Sequence, residues 1–284
     1  AYVAISMNGV LLDAQLADAT GLVNLTFPAI SNIGVADIVV TKQFKQPYIG
    51  TVQVISPTGP YIICSINTIN DSAVNNNSII DYNEFINMTV DLHNVGSVIA
   101  TSVDVVISTT DPYVTLINSN LNIPFVNASQ SVSIPFNFQV ASFVPDQHIV
   151  SFTLNMTDNL GNSWSSIINV LLNAPVLDHI SFIIDDTLMG NADGRIDPGE
   201  TFDLVVDVVN KGHADVANLI ATLTVSSPFI TINTVNNNVS ILSVNGQSST
   251  IFNVTTSSVV PLGTYVDFNF EITDGTYSYN TNFI

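Results

Sequence analysis

The sequence predicts an all-β protein made of tandem Ig-like antiparallel β-sandwiches, and three observations carry that prediction. Segments such as TVQVI, INMTVDL, TSVDVVIS, SFTLNMT, TFDLVVDVV and YVDFNFEIT alternate apolar with polar residues, the period of a half-buried strand. They are rich in Val, Ile, Thr and Phe and bounded by Asn, Gly, Asp and Pro, so each reads as a strand closed by a turn. The chain also repeats itself. IDYNEFINMTVDLHNVGS at 80–97 and IDPGETFDLVVDVVNKGH at 196–213 match at a constant offset (197 − 81 = 116). Asp81 falls on Asp197, Glu84 on Glu200, Asp91 on Asp207, Asn94 on Asn210 and Gly96 on Gly212.

Residues 1–57 read as a short unit of strands, an Ig-like domain without its first strands. Within it Asn8-Gly9, between YVAISM and VLLDAQL, is a hairpin signal. Residues 58–174 are the first copy of the repeated sandwich and residues 175–284 the second. Their size of about 110 residues suits a seven-strand Ig-like sandwich. The register persists through DPYVT over SPFIT, Phe152 over Phe268 and Asp158 over Asp274. The boundaries SPTGP at 56–60 and NAPV at 173–176 are short and proline-bearing, which predicts a stiff rod of modules. The recurring N-x-G (NVG, NKG) predicts an Asn-containing turn after a long strand.

The 284 residues carry 23 Asp and Glu against 4 Lys and Arg, a formal net charge of −19. Such a surface repels phosphates and anionic lipid, which excludes nucleic acid as a partner and favours cations. No apolar run reaches the roughly 18 residues of a membrane helix, so no membrane insertion is expected. No basic segment followed by an apolar one marks a signal peptide. The chain opens at Ala1-Tyr2-Val3 in what reads as mid-strand, so we expect a processed or partial product whose attached domains belong to a longer precursor. The single cysteine, Cys64, excludes an internal disulfide framework. Within YIICSI it reads as a small core residue rather than a nucleophile.

Residues 20–55, TGLVNLTFPAISNIGVADIVVTKQFKQPYIGTVQVI, resemble the Ig-like domain that follows the catalytic domain in gingipain-type cysteine peptidases. The modules behind it, with IDYNE, TTDPYV, PDQHIVSF and IDPGE, resemble the region that follows in secreted Bacteroidota proteins. Those proteins typically leave the cell by the type IX secretion system. The resemblance covers essentially the whole chain and specifies a module type without chemistry. It implies an extracellular, cell-surface protein. The family's peptidase domain, with its catalytic Cys and His, has no counterpart in this chain, so no enzymatic activity is expected. The signature of the C-terminal secretion domain is not found before Ile284 either.

GNADGRIDPGE at 190–200 is the most chemically pointed stretch. Calcium takes hard oxygen ligands from carboxylates, amides and backbone carbonyls, often from a loop of alternating positions. Asn191 and Asp193 supply side chains at alternate positions, Gly194 makes the turn, and Arg195 offers its backbone carbonyl. Asp197 and Glu200 add carboxylates from the start of the next strand, Pro198-Gly199 turns Glu200 back, and Asp186 closes the cage. Ca2+ is therefore the expected cofactor, near the junction with the preceding module. The resemblance implies the same, because similar segments in Ig-like and dockerin-like modules bind calcium at this edge. The alternative is an acidic turn without an ion, in which crowded carboxylates repel one another. The loop of the first repeat, NNNSIIDYNE, keeps Asn75, Asn77, Asp81 and Glu84 but loses the glycine and one carboxylate, a weaker ligand set.

A catalytic carboxylate pair is disfavoured, since no His, Ser or Lys partner lies nearby in sequence. The histidines at 93, 148, 179 and 213 are scattered without metal spacing. His93 and His213 adjoin the N-x-G turns and read as surface residues, and Trp164 reads as a core aromatic. Asp71-Ser72-Ala73 and Asp186-Thr187-Leu188 resemble the short O-glycosylation signal of Bacteroidota, making Ser72 and Thr187 candidate acceptors; plain polar loops are the alternative. Three functions compete: a non-catalytic stalk that spaces or presents other domains, a filament subunit joined to copies of itself or to other surface proteins by strand addition, and a fragment of a cysteine peptidase precursor.

Overall fold

A computed structural model of the chain describes residues 1–28, 30, 32–55, 58–72 and 75–284. Its 20 strands lie in five four-stranded antiparallel sheets, and no helix occurs among the described residues. None is therefore long and apolar enough to cross a membrane.

The first unit is a single sheet. Its strands are β1 (Tyr2–Met7), β2 (Val10–Leu16), β3 (Gly34–Thr41) and β4 (Tyr48–Val54), in the order β2-β1-β3-β4. Asn8 and Gly9, at φ 53° and 78°, join β1 to β2, with the positive dihedrals at both central positions that a type I′ hairpin requires. Its buried cluster is small, consisting of Ile5, Met7 and Ala36.

The second unit comprises β5 (Ile62–Asn70), β6 (Phe85–Asn94), β7 (Ala100–Ser108), β8 (Val114–Leu116), β9 (Asn120–Val126), β10 (Ser131–Val140), β11 (His148–Thr157) and β12 (Ser163–Leu172). They form two layers, β5-β6-β10-β8 and β12-β11-β7-β9. The third unit comprises β13 (Leu177–Asp185), β14 (Thr201–Asn210), β15 (Val216–Val225), β16 (Ile230–Ile232), β17 (Asn236–Leu242), β18 (Gln247–Thr256), β19 (Phe268–Thr273) and β20 (Ser278–Phe283). Its layers, β13-β14-β18-β16 and β17-β15-β19-β20, repeat the same order strand for strand.

Alternation explains the layering. Ile86, Met88, Val90 and Leu92 of β6 are buried, as are Phe202, Leu204, Val206 and Val208 of β14. Each such side chain taken out of water contributes about 1.5–3 kcal/mol, which fixes the register, because a one-residue slip would turn all of them outward. Two separate cores result, and Tyr277 packs against both.

The lead-in to each of the two sandwiches is held by its N-x-G asparagine. Asn94 is fully buried. Its oxygen accepts the amides of Tyr61 (3.0 Å) and Gly96 (3.0 Å), and its nitrogen donates to the carbonyls of Val98 (2.8 Å) and Val126 (3.0 Å). Asn210 does the same for Val176 (3.1 Å), Gly212 (3.0 Å), Ala214 (2.8 Å) and Leu242 (3.1 Å). What reads in sequence as a turn residue is a clamp holding the incoming linker to the sandwich. Gly212 is required beside it, because a Cβ there would strike the Ala174 carbonyl and the Val176 nitrogen. Of the linker read at 56–60, Ser56 and Pro57 lie outside the described residues.

Across the joint between the second and third units, the Tyr82 hydroxyl donates to the Asp215 carbonyl (3.1 Å) and the Tyr277 hydroxyl to the Val144 carbonyl (2.8 Å). The two rings meet edge to face at 5.1 Å. Asp146 accepts the Ala174 amide (3.0 Å) and pairs with the His213 imidazole (2.7 Å). His213 is thus a joint residue as well as a surface one.

Candidate functional site

The structure gathers the residues of GNADGRIDPGE into a closed loop between β13 and β14. Asp186 is buried at 2% exposure, and one of its oxygens accepts the amides of Asp193 (3.0 Å) and Gly194 (3.1 Å). Glu200, at 9% exposure, accepts the amides of Asn191 (3.1 Å) and Asp197 (2.9 Å). Asn191 donates its side-chain amide to Asp197 (2.8 Å) and accepts the Asp193 amide (3.0 Å). Asp193 in turn accepts the amide of exposed Arg195 (2.9 Å). Gly190 lets the loop close, since a Cβ there would meet the Glu200 carboxylate and the Asp186 carbonyl. Asp186 and Glu200 therefore organise backbone, whatever else they bind.

The loop stands elsewhere than sequence proximity to the linker suggests. β13 starts at the joint and its nine residues carry the chain about 30 Å away at the rise of an extended strand. Residues 186–200 thus occupy the far end of the third unit, where Asp197 and Pro198 border a recess also lined by Leu262, Tyr265 and Ile284. By the same geometry, the equivalent loop of the second unit, 71–84, occupies the end that faces the third.

At three positions that second-unit loop repeats the positive backbone dihedrals of its counterpart. Asn76, Ser78 and Asn83 take φ of 55°, 65° and 59°, where Ala192, Gly194 and Gly199 take 64°, 74° and 81°. Ser78 therefore adopts the glycine conformation without the glycine, at about 1–2 kcal/mol. The acids are more deeply buried: Asp71 is 1% exposed, Asp81 4% and Glu84 1%. Asp71 accepts the amides of Asn77 (2.8 Å) and Ser78 (3.0 Å) through one oxygen. Asp81 accepts the side-chain amides of Asn75 (2.9 Å) and Asn77 (3.0 Å), and Glu84 the Asp81 amide (2.9 Å). Burial pushes the Glu84 carboxyl up to about 7, and the Asp81 and Asp71 charges add to that effect. Burial likewise raises Asp81, against the hydrogen bonds of Asn77 and Asn75 and the proximity of the Asn173 side chain. Asp71 is the ligand-type residue that the sequence reading omitted. Its match to Asp186 falls one residue out of register (186 − 71 = 115). Among the described residues, no three His, Cys, Asp or Glu side chains converge closely enough to hold a metal ion as they stand. Any ion would draw on amide and backbone oxygens too.

The remaining candidates are engaged locally. Ser72 is exposed, and Ala73 of its motif lies outside the described residues; the Thr187 hydroxyl donates to Asp185 (2.6 Å). The Cys64 sulfur lies 3.3 Å from that of Met156, and burial pushes its thiol up to about 11. His148 pairs with Asp111 (2.7 Å), His179 meets the Tyr279 hydroxyl (2.6 Å) and His93 meets Ser131 (2.9 Å). Trp164 is half-buried against the second core.

No family model matches this chain. No curated protein matches it. Among solved structures it is similar to a cryo-EM reconstruction of Escherichia coli alpha-2-macroglobulin in its native conformation. The identity is 10% and the TM-score 0.30, over 88% of this chain and 18% of that one. The chain thus spans less than a fifth of the length of that protein.

Proposed function

We propose that this chain is a non-catalytic extracellular stalk that spaces or presents other domains at a cell surface. The observation that carries the reading is the joint. Fully buried Asn94 and Asn210 hold the chain entering the second and third sandwiches, and the second and third units add hydroxyl, aromatic and ion-pair contacts across their boundary. Such a joint resists bending, which a spacer needs and a flexible tether lacks. The resemblance of residues 20–55 and of the paired modules to secreted, gingipain-associated Ig-like regions supports the surface location. Calcium at Asp186, Asn191, Asp193, Asp197 and Glu200, with the Arg195 carbonyl, belongs to the same reading, as a stiffener of the distal end rather than of the joint. Burial that raises the Cys64 thiol and its contact with Met156 support reading this cysteine as packing rather than as a nucleophile.

Small-angle scattering of the full chain tests this. Three units with strands of about 30 Å end to end give an elongated particle of about 100 Å. A compact particle refutes the stalk, and peptide hydrolysis abolished by Cys64→Ala refutes the absence of catalysis.

A further inference from the structure

We propose that Asp71, Asp81 and Glu84, with Asn75 and Asn77 around them, bind a hard divalent cation of the calcium class, and that this ion braces the joint with the third unit. Three buried carboxyl groups of this loop each keep one oxygen with no hydrogen-bond partner: Asp71 Oδ1, Asp81 Oδ1 and Glu84 Oε1. In each, the second oxygen is held by loop amides, so half of the accepting capacity of each group is unused. Buried acceptors are nearly always partnered, because desolvation without a partner is costly.

No side-chain cation supplies the missing partner. The ion pairs of the described residues use Asp111, Asp146 and Asp178, and none of these three acids. An oxygen-only set of carboxylates, ringed by the amides of Asn75 and Asn77, selects a hard cation. An irregular loop suits calcium better than magnesium, which demands octahedral geometry. The acids do not yet converge in ligand geometry, so ion entry draws the three free oxygens together.

The consequence for the joint follows from the neighbours. Asp81 bridges to Asn173 at the start of the linker. The Tyr82 amide donates to the Asn173 carbonyl (2.9 Å) and the Asn173 amide to the Ile80 carbonyl (2.9 Å). The next side chain, Tyr82, is the one that reaches Asp215 and Tyr277 of the third unit. Fixing Asp81 thus fixes the segment on which the contact between units stands. This goes beyond the stalk reading and adds its regulation: the stalk is stiffer where calcium is present.

The test is calorimetric titration of the full chain with calcium chloride, together with amide hydrogen exchange with and without the ion. Asp71→Asn and Glu84→Gln remove charge at constant volume, and Asp186→Asn is the counterpart in the third unit. The wild type should show a site of dissociation constant about 10⁻⁴ to 10⁻³ M. That site should weaken at least tenfold in Asp71→Asn and in Glu84→Gln and persist in Asp186→Asn. With calcium at a hundred times the dissociation constant, exchange at the Tyr82 and Asn173 amides should slow by about a hundredfold. Absence of binding, or binding undiminished in both loop variants, overturns the site. Variants that unfold in chelator also overturn it, since removing uncompensated charge should not harm the ion-free fold. Binding without slowed exchange at Tyr82 and Asn173 overturns the brace. A compact particle that nonetheless shows both effects defeats the stalk reading and leaves this inference standing.

Discussion

Replacing Asn94 by alanine should destabilise the second unit more than any exposed asparagine substitution in the chain. The side chain is fully buried and makes four hydrogen bonds to backbone. Each is worth about 1 kcal/mol net, and a donor or acceptor left buried without a partner costs about 1–3 kcal/mol. Some of the four groups regain water once the side chain is gone, so the loss sums to about 3–5 kcal/mol. That is a large share of the 5–15 kcal/mol typical of a whole domain. Urea unfolding read by tryptophan fluorescence isolates the effect, because Trp164 is the sole tryptophan and packs on the second core. With a slope of about 1.5 kcal/mol per molar, the fluorescence midpoint should fall by about 2–3 M. Asn210→Ala makes the same cut in the third unit, so it should shift a circular-dichroism transition and leave the Trp164 midpoint nearly in place. Asn122→Ala, at an exposed position bonded to Asp104 (2.7 Å), should cost less than about 0.5 kcal/mol. A fluorescence midpoint within the scatter of wild type for Asn94→Ala would refute the clamp.

Gly212→Ala should loosen the joint, because its Cβ would meet linker backbone that cannot swing aside; scattering should show a broader distribution of dimensions, and an unchanged profile counts against the tight approach. Cys64 should resist alkylation: with the thiol at about 11, about one molecule in a thousand is thiolate at pH 8. Maleimide should label the urea-unfolded chain far faster than the native one, and equal rates would contradict the buried placement. Calcium should raise the melting temperature of the third unit, by about 2.7 kcal/mol of stabilisation at a hundredfold excess over the dissociation constant. Asp193→Ala with Asp197→Ala should abolish the rise, and a melt indifferent to calcium and chelator would remove that loop from the ion-binding reading.

Local pattern was enough for the fold class. Period-2 alternation in INMTVDL and TFDLVVDVV names the inward residues of β6 and β14, because a strand shows alternate side chains to opposite faces. Asn8-Gly9 names a hairpin, since few other pairs tolerate two positive dihedrals. The constant offset of 116 marked two copies of one unit, and identical strand orders follow from it. Asn94 and Asn210 were visible as a recurring motif, but not as clamps. Asn94 reaches Tyr61 and Val126, 33 and 32 residues away, and Asn210 reaches Val176 and Leu242, 34 and 32 residues away, and no local rule connects them.

Which acidic loop faces the joint was decided by tertiary structure alone. Sequence proximity put GNADGRIDPGE beside the linker, yet the extended β13 carries it to the opposite end. The better oxygen spacing likewise pointed to 186–200. Only folding buries Asp71, Asp81 and Glu84 and leaves one oxygen of each without a partner. Residue types and spacing determine which atoms are able to bind a cation. Burial and the hydrogen bonds closed within each folded loop decide which of those atoms are left without a partner, and a buried orphaned acceptor gains most from an ion.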